Sequence, residues 1–123
     1  MANILIVDDE IFIRHLAELV IGDLGHETLV AGDVDEALLL LQSPVLIDVL
    51  FTDIRLRKLV HGGFELAKQA VQLQPNLHVL YTTGSVNADD MKTMGIPGAL
   101  MLQKPYVAEQ LQNSIEKLLS ADA

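Results

Sequence analysis

The chain has 123 residues and a formal charge of −9, with no cysteine and no tryptophan. That length fits one domain, expected to fill residues 1–123 with no output domain after it. Absence of Cys excludes a disulfide framework, a thiolate metal site and a cysteine nucleophile. The 17 Asp and Glu against 8 Lys and Arg argue against a module that grips a nucleic acid backbone. No basic n-region with a long apolar run follows the first Met, and no apolar stretch approaches the ~20 residues of a membrane span. The expected setting is the cytoplasm.

Ile4-Leu5-Ile6-Val7 is a continuous β-prone run, the pattern of a strand buried on both faces. Over residues 10–23, Ile13, Leu16, Ala17, Val20 and Leu24 recur at helical spacing, and Gly25 marks the stop. Thr28-Leu29-Val30 reads as a second strand. Asp33 is placed to cap a helix carrying Ala37, Leu38 and Leu41, which ends before Ser43-Pro44. Residues 47–52 form a third strand that delivers Asp53 to its end. A basic loop over residues 55–63 leads into a helix with Leu66, Ala67, Ala70, Val71 and Leu73, closed by Gln74-Pro75-Asn76. Residues 77–82 are a fourth strand. Residues 84–98, polar and broken by Gly95 and Pro97, hold only a short, weak helix. Residues 99–102 make a fifth strand, and a last helix uses Val107, Leu111, Ile115 and Leu118.

Strict alternation of strand and helix implies a parallel sheet covered on both faces. The expected fold is α/β, a doubly wound five-stranded parallel (βα)5 sheet with the flavodoxin-like strand order 2-1-3-4-5. Ligands of such sheets sit beyond the carboxyl ends of the strands. Asp8 and Asp9 follow the first strand and Asp53 the third, so three carboxylates converge. Like charges so placed raise one another's pKa or demand a cation. Mg²⁺ suits the purpose, since it takes oxygen ligands and keeps waters for an incoming phosphate. Thr83 and Lys104 follow the fourth and fifth strands, a hydroxyl donor and a point charge of the kind that stabilise phosphoryl oxygens.

Each residue alone has a plainer reading. Asp8 or Asp9 could be a helix N-cap, Asp53 a loop residue, Thr83 a β-branched strand end, and Lys104-Pro105 a turn opening the last helix. The conjunction at four strand ends is what coincidence explains poorly. His15, His26, His61 and His78 show no metal-ligand spacing, and no dinucleotide fingerprint or Walker A pattern occurs.

Four stretches, Ile4-Leu5-Ile6-Val7-Asp8-Asp9-Glu10, Leu50-Phe51-Thr52-Asp53-Ile54-Arg55-Leu56, Val79-Leu80-Tyr81-Thr82-Thr83-Gly84 and Leu102-Gln103-Lys104-Pro105-Tyr106, carry a family resemblance. Together they resemble the receiver domains of two-component response regulators along essentially the whole chain. The resemblance implies that Asp53 accepts a phosphoryl group from a sensor histidine kinase or a histidine phosphotransfer protein. It implies that Asp9, Asp53 and the Arg55 backbone carbonyl ligate Mg²⁺, with Asp8 helping through a bound water. Thr83 and Lys104 would orient the phosphoryl oxygens, and the bond from Lys104 to Pro105 would be cis. Such a domain is a phosphoacceptor rather than an enzyme, and acts on a downstream protein target or drains phosphate from a kinase. A monomer, or a weak phosphorylation-dependent dimer, is expected. The expected output surface is the short helix near Asp89 with the fifth strand and last helix.

Three departures from the family pattern stand out. Met101 occupies the place of an aromatic switch residue, and Met neither donates a hydrogen bond nor turns as a rigid ring. Residues 84–98 or Tyr106 would then report phosphorylation. Arg57 and His61 stand where proline and glycine are usual, and Gly63 matches that glycine two residues late. The loop is therefore longer and basic, with Arg55, Arg57 and Lys58. It is either a solvated loop or a device by which Arg55 or Arg57 reaches the phosphoryl group or a partner's acidic surface. Lastly, no output domain is expected, as in stand-alone receivers. The spacing from Asp53 to Gly63 and the run Thr82-Thr83-Gly84 also resemble receivers of hybrid sensor kinases, and a degenerate docking receiver is the other alternative. An Asp-nucleophile phosphatase resembles Asp-x-Asp, whereas Ile54 and Arg55 follow Asp53 here. A flavin module needs a phosphate-cradling loop where this chain places two acids.

Overall fold

Alternate residues of each central strand feed opposite hydrophobic layers, and this arrangement organises the whole chain. The computed structural model describes residues 1–84 and 88–120. The strands are β1 (Asn3–Val7), β2 (Glu27–Ala31), β3 (Val49–Asp53), β4 (His78–Thr83) and β5 (Leu100–Gln103). The helices are α1 (Ile11–Asp23), α2 (Val34–Leu41), α3 (Gly62–Leu73), α4 (Ala88–Met94) and α5 (Ala108–Ser120). All four strand pairings are parallel and the order is β2-β1-β3-β4-β5, the expected doubly wound sheet.

Leu5, Val7, Leu50, Val79 and Tyr81 face one layer, filled by Ala37, Leu41, Phe64, Leu66, Ala67 and Ala70 of α2 and α3. Ile4, Ile6, Val49, Phe51 and Leu80 face the other, filled from α1 and α5 by Ala17, Ile21, Leu111, Ile115 and Leu118. A strand with helices on both sides has no polar face, which is why β1 and β3 are unbroken apolar runs. α4 is the exception among the helices. None of its described side chains is buried, although Met91 and Met94 lean on the first layer.

Asp33 caps α2 as expected, its carboxylate accepting from the Glu36 N–H at 2.8 Å. Gly25 ends α1 at φ +91°, a left-handed geometry that only glycine adopts without cost. Neither Asp8 nor Asp9 caps α1; Glu10 holds that position without a side-chain bond, and Asp8 Oδ1 accepts the Glu10 N–H at 2.9 Å. The buried face of α1 also differs from the expected stripe. Ile21 is fully buried while Leu16 stays 62 % exposed, because the helix presses its small Ala17 to the sheet and turns Leu16 toward α5. Of the segment 84–98, expected to report phosphorylation, residues 85–87 lie outside the described residues.

The connection from β3 to α3 absorbs its extra length in a tight hairpin. Leu56 and Leu59 exchange backbone hydrogen bonds of 3.0 and 2.9 Å around a two-residue turn, with Arg57 at φ +55°. The first residues of α3 then close on the strand end itself. The Gly63 N–H donates to the Ile54 carbonyl at 2.7 Å, and a Cβ on Gly63 would stand 2.2 Å from the Asp53 carbonyl oxygen. Gly63→Ala is therefore expected to destabilise the protein by about 3 kcal/mol, because backbone rather than a pliable side chain must move. Gly22→Ala, where a Cβ meets nothing within 4 Å, should instead add about 0.5–1 kcal/mol. Urea unfolding of the two variants beside the parent checks both signs.

Candidate functional site

Asp8 leaves β1, Asp53 is the last residue of β3, Thr83 the last of β4, and Lys104 follows β5. The parallel order puts all four ends on the same edge of the sheet. There the Lys104 ammonium lies 3.0 Å from Asp53 Oδ2, 3.1 Å from Asp8 Oδ2 and 3.6 Å from Glu10 Oε1. Backbone bonds fix each partner. The Lys104 N–H donates to the Thr83 carbonyl at 2.8 Å, the Ile54 N–H to the Thr82 carbonyl at 2.9 Å, and the Asp8 N–H to the Ala31 carbonyl at 3.2 Å. The peptide bond from Lys104 to Pro105 is cis, as the resemblance implied. Above this cluster opens a recess of about 480 Å³, bordered by Asp9, Glu10, Asp53, Thr83, Gly84 and Lys104.

The electrostatics are finely opposed. Burial pushes the Asp53 carboxyl above the ordinary Asp range; Lys104 and the Arg55 backbone N–H pull it back, and the charge of Asp8 pushes it up again. Burial also works against the Lys104 ammonium, but the carboxylates of Asp53 and Asp8 outweigh it and hold Lys104 above the usual lysine range. Lysine is thus firmly charged, whereas Asp53 carries a charge its surroundings only partly support. Tyr106, edge-on to Phe51 at a ring distance of 6.1 Å, has its hydroxyl pKa raised by burial and by Asp8.

Carboxylate oxygens of Asp8, Glu10 and Asp53 all lie within 4.8 Å of one another, an all-oxygen donor set suited to a hard divalent cation. Glu10 was not among the expected ligands. The run Asp8-Asp9-Glu10 held the signal, but a side chain that reaches back from the start of a helix has no period to betray it. Asp9 borders the recess while its Oδ2 accepts the Arg57 N–H at 3.1 Å. The Arg57 guanidinium extends toward the α2 cap, 3.8 Å from Asp33, and Arg55 contributes its backbone N–H to Asp53. Of the adjacent threonines, Thr83 borders the recess, whereas the buried Thr82 hydroxyl turns away and meets no hydrogen-bond partner. Met101 lies half-buried beside Tyr81 in the sheet register.

These charges give a stability test. A raised folded pKa means the native state holds the Asp53 proton longer than the unfolded chain does. Stability is then lost as pH rises from the ordinary Asp range through the folded pKa, and the cost persists at neutral pH. Asp53→Asn should therefore melt higher than the parent at pH 7 without divalent cations, with the advantage vanishing in acid below the unfolded pKa. Adding Mg²⁺ at a hundred times its dissociation constant should stabilise the parent by about 2.7 kcal/mol and the variant far less. Thermal melts across pH, with and without the cation, measure both effects.

A family profile described as "Response regulator receiver domain" matches residues 4–116. A response regulator receiver protein from Sinorhizobium medicae WSM419 superposes with a TM-score of 0.90 at 29 % identity, over 99 % of this chain and 97 % of that one. The receiver domain of NtrX from Brucella abortus superposes at 0.84 with 32 % identity, over 95 % of this chain and 98 % of that one. In a longer NtrX chain from Brucella abortus the match, again 32 % identical with a TM-score of 0.84, covers 98 % of this chain but 26 % of that one. Profile, fold and the cluster at the strand ends agree, and the chain belongs to the response regulator receiver domain family.

Proposed function

We propose that this receiver takes a phosphoryl group onto an Asp53 carboxylate oxygen from the phosphohistidine of a sensor histidine kinase or a histidine phosphotransfer protein. The observation that carries this reading is the Lys104 ammonium, 3.0 Å from the Asp53 carboxylate at the floor of an open recess that Thr83 also borders. The N–P bond to the donor imidazole breaks as an O–P bond to Asp53 forms. Charge on the phosphoryl oxygens spreads in this transfer, so catalysis consists of positioning and electrostatic support. Lys104 follows the charge from the carboxylate to a phosphoryl oxygen, and the Thr83 hydroxyl donates to another. Asp9, Asp53 and the Arg55 carbonyl, with Asp8 through a water and the Glu10 carboxylate beside them, would hold Mg²⁺, which would supply charge neutralisation to the same oxygens. The product is a modified side chain rather than a released compound, so the domain is a phosphoacceptor rather than an enzyme.

A bonded phosphoryl group shifts an equilibrium between two conformations only through contacts that differ between them. Thr83 and Lys104 supply such contacts, and α4, β5 and α5 form the output surface of this reading. The domain acts in the cytoplasm, as a monomer or a weak phosphorylation-dependent dimer, by docking on a target protein or draining phosphate from a shared kinase. An apolar surface next to the cluster supports a docking route for the donor. An apolar groove of about 470 Å³ runs between α1 and the start of α5, bordered by Ile13, Leu16, Val20, Tyr106 and by Lys104 itself. Beside it Phe12 is 85 % exposed. A protein seated on this groove holds its phosphohistidine next to Asp53.

Two measurements test the reading. Intact mass after incubation with Mg²⁺ and acetyl phosphate should show one added phosphoryl group on the parent and none on Asp53→Asn. No cation-dependent adduct on the parent, together with no binding of a beryllofluoride mimic, would overturn the assignment. Leu16→Glu should slow transfer from a partner phosphohistidine protein by about tenfold, as expected when one central interface contact is lost. Its rate with acetyl phosphate should match the parent, because no protein docks in that reaction.

A further inference from the structure

We infer that Tyr81 is a positioning residue that couples the Asp53 site to α4 and the α4–β5 connection, supplying from β4 the rigid ring that Met101 lacks in β5. The inference rests on the phosphoacceptor reading above.

Tyr81 is the bulkiest side chain that is fully buried. It lies in register with Met101 on the neighbouring strand and two residues before Thr83, so by strand alternation Tyr81 and Thr83 project to the same side of the sheet. Its hydroxyl accepts the Ile96 N–H at 3.2 Å, which ties β4 to the segment that leads out of α4. Burial pushes the Tyr81 pKa up, so the hydroxyl stays neutral. The ring meets Phe64 edge-on at 5.0 Å, and Phe64 in turn lies 6.0 Å from the His61 ring. His61 Nε2 reaches Asp90 of α4 at 3.5 Å. An aromatic row therefore runs from Tyr81 to His61, and α4 is pinned at both ends of it, at Asp90 and just beyond at Ile96.

Between the pins the seat of α4 is soft. Met91, Met94 and Met101 pack there against the first layer, three of the four methionines in the chain. Thioether side chains re-pack at low cost, whereas a buried ring bonded through its hydroxyl does not. A helix with no buried described residue on such a bed moves as its pins move. Thr83, drawn toward a phosphoryl oxygen, displaces the end of β4, and Tyr81 carries that displacement to Ile96. The long Tyr81 hydrogen bond is the contact that differs between the two states.

The test compares the parent with Tyr81→Phe, which keeps the ring and removes the hydroxyl, by amide hydrogen exchange with and without Mg²⁺ and beryllofluoride. Without the mimic, the Ile96 amide should exchange about three- to tenfold faster in the variant, the loss of one ordinary hydrogen bond. Both proteins should bind the mimic and show the same response at Thr83 and Gly84. In the parent the response should extend to Ile96 and Ala99; in the variant it should stop short of them. Equal responses at Ile96 and Ala99 in two mimic-bound proteins would overturn the coupling while leaving the phosphoacceptor reading intact. Failure of the parent to bind the mimic would overturn that reading and the coupling with it. An unchanged Ile96 amide in the unliganded variant would overturn the hydroxyl tether by itself.

Discussion

One half-buried ammonium makes the end of this sheet possible. Asp8 and Asp53 stand at the ends of adjacent strands, and neither is exposed enough for water to screen its charge. Lys104 enters from β5, beyond β4, and meets both carboxylates with Nζ. A long unbranched stem crosses that distance, and a compact point charge touches two acids at once where a planar guanidinium would have to choose an orientation. The parallel order is a precondition, since only then do the acids and the lysine leave the sheet on the same side. The backbone bond from Lys104 to Thr83 sets the stem at the right height.

That arrangement is stable without being comfortable. Lys104 gains more from the two acids than burial costs it, yet Asp53 remains penalised, because its own desolvation, with a smaller push from the charge of Asp8, outweighs the help it receives. A fully satisfied buried pair would resist change. Here any species that brings positive charge to the acids relieves that penalty. Asp53 is thus the strained member of the cluster and Lys104 its firmly charged partner.

The fold was legible because alternating runs of period two and 3.6 admit few arrangements, and continuous apolar strands demand helices on both faces. What periodicity does not specify is rotation about a helix axis. Leu16 and Ile21 both belong to an apolar stripe on α1, and only the close approach allowed by Ala17 decides that Ile21 goes inward. In the site, Asp8, Asp53, Thr83 and Lys104 were legible because each sits at the end of a strand, where position along the chain fixes position in space. Glu10 was not, since its carboxylate returns to the cluster from the cap of a helix. Tyr81 carried no signal either. Inside an apolar strand it reads as one more core residue, and its partner is a backbone N–H 15 residues away in a loop.

The connection after Asp53 shows how a family pattern can be broken in sequence and kept in space. The glycine arrives two residues late, but the requirement it meets is local: an N–H donating to Ile54 and no Cβ beside the Asp53 carbonyl. The Leu56–Leu59 hairpin consumes the surplus and returns the chain to that contact, at the cost of holding Arg57 in a left-handed conformation. Gly63 constrains the strand end, and Ile54 and Leu56 are buried in the core. The exposed positions of the loop are open to other demands, and in a chain with only 8 basic residues three of them stand there, Arg55, Arg57 and Lys58. Arg57 applies its N–H to Asp9 and its guanidinium to Asp33, so the loop joins an acid of the recess to the cap of α2.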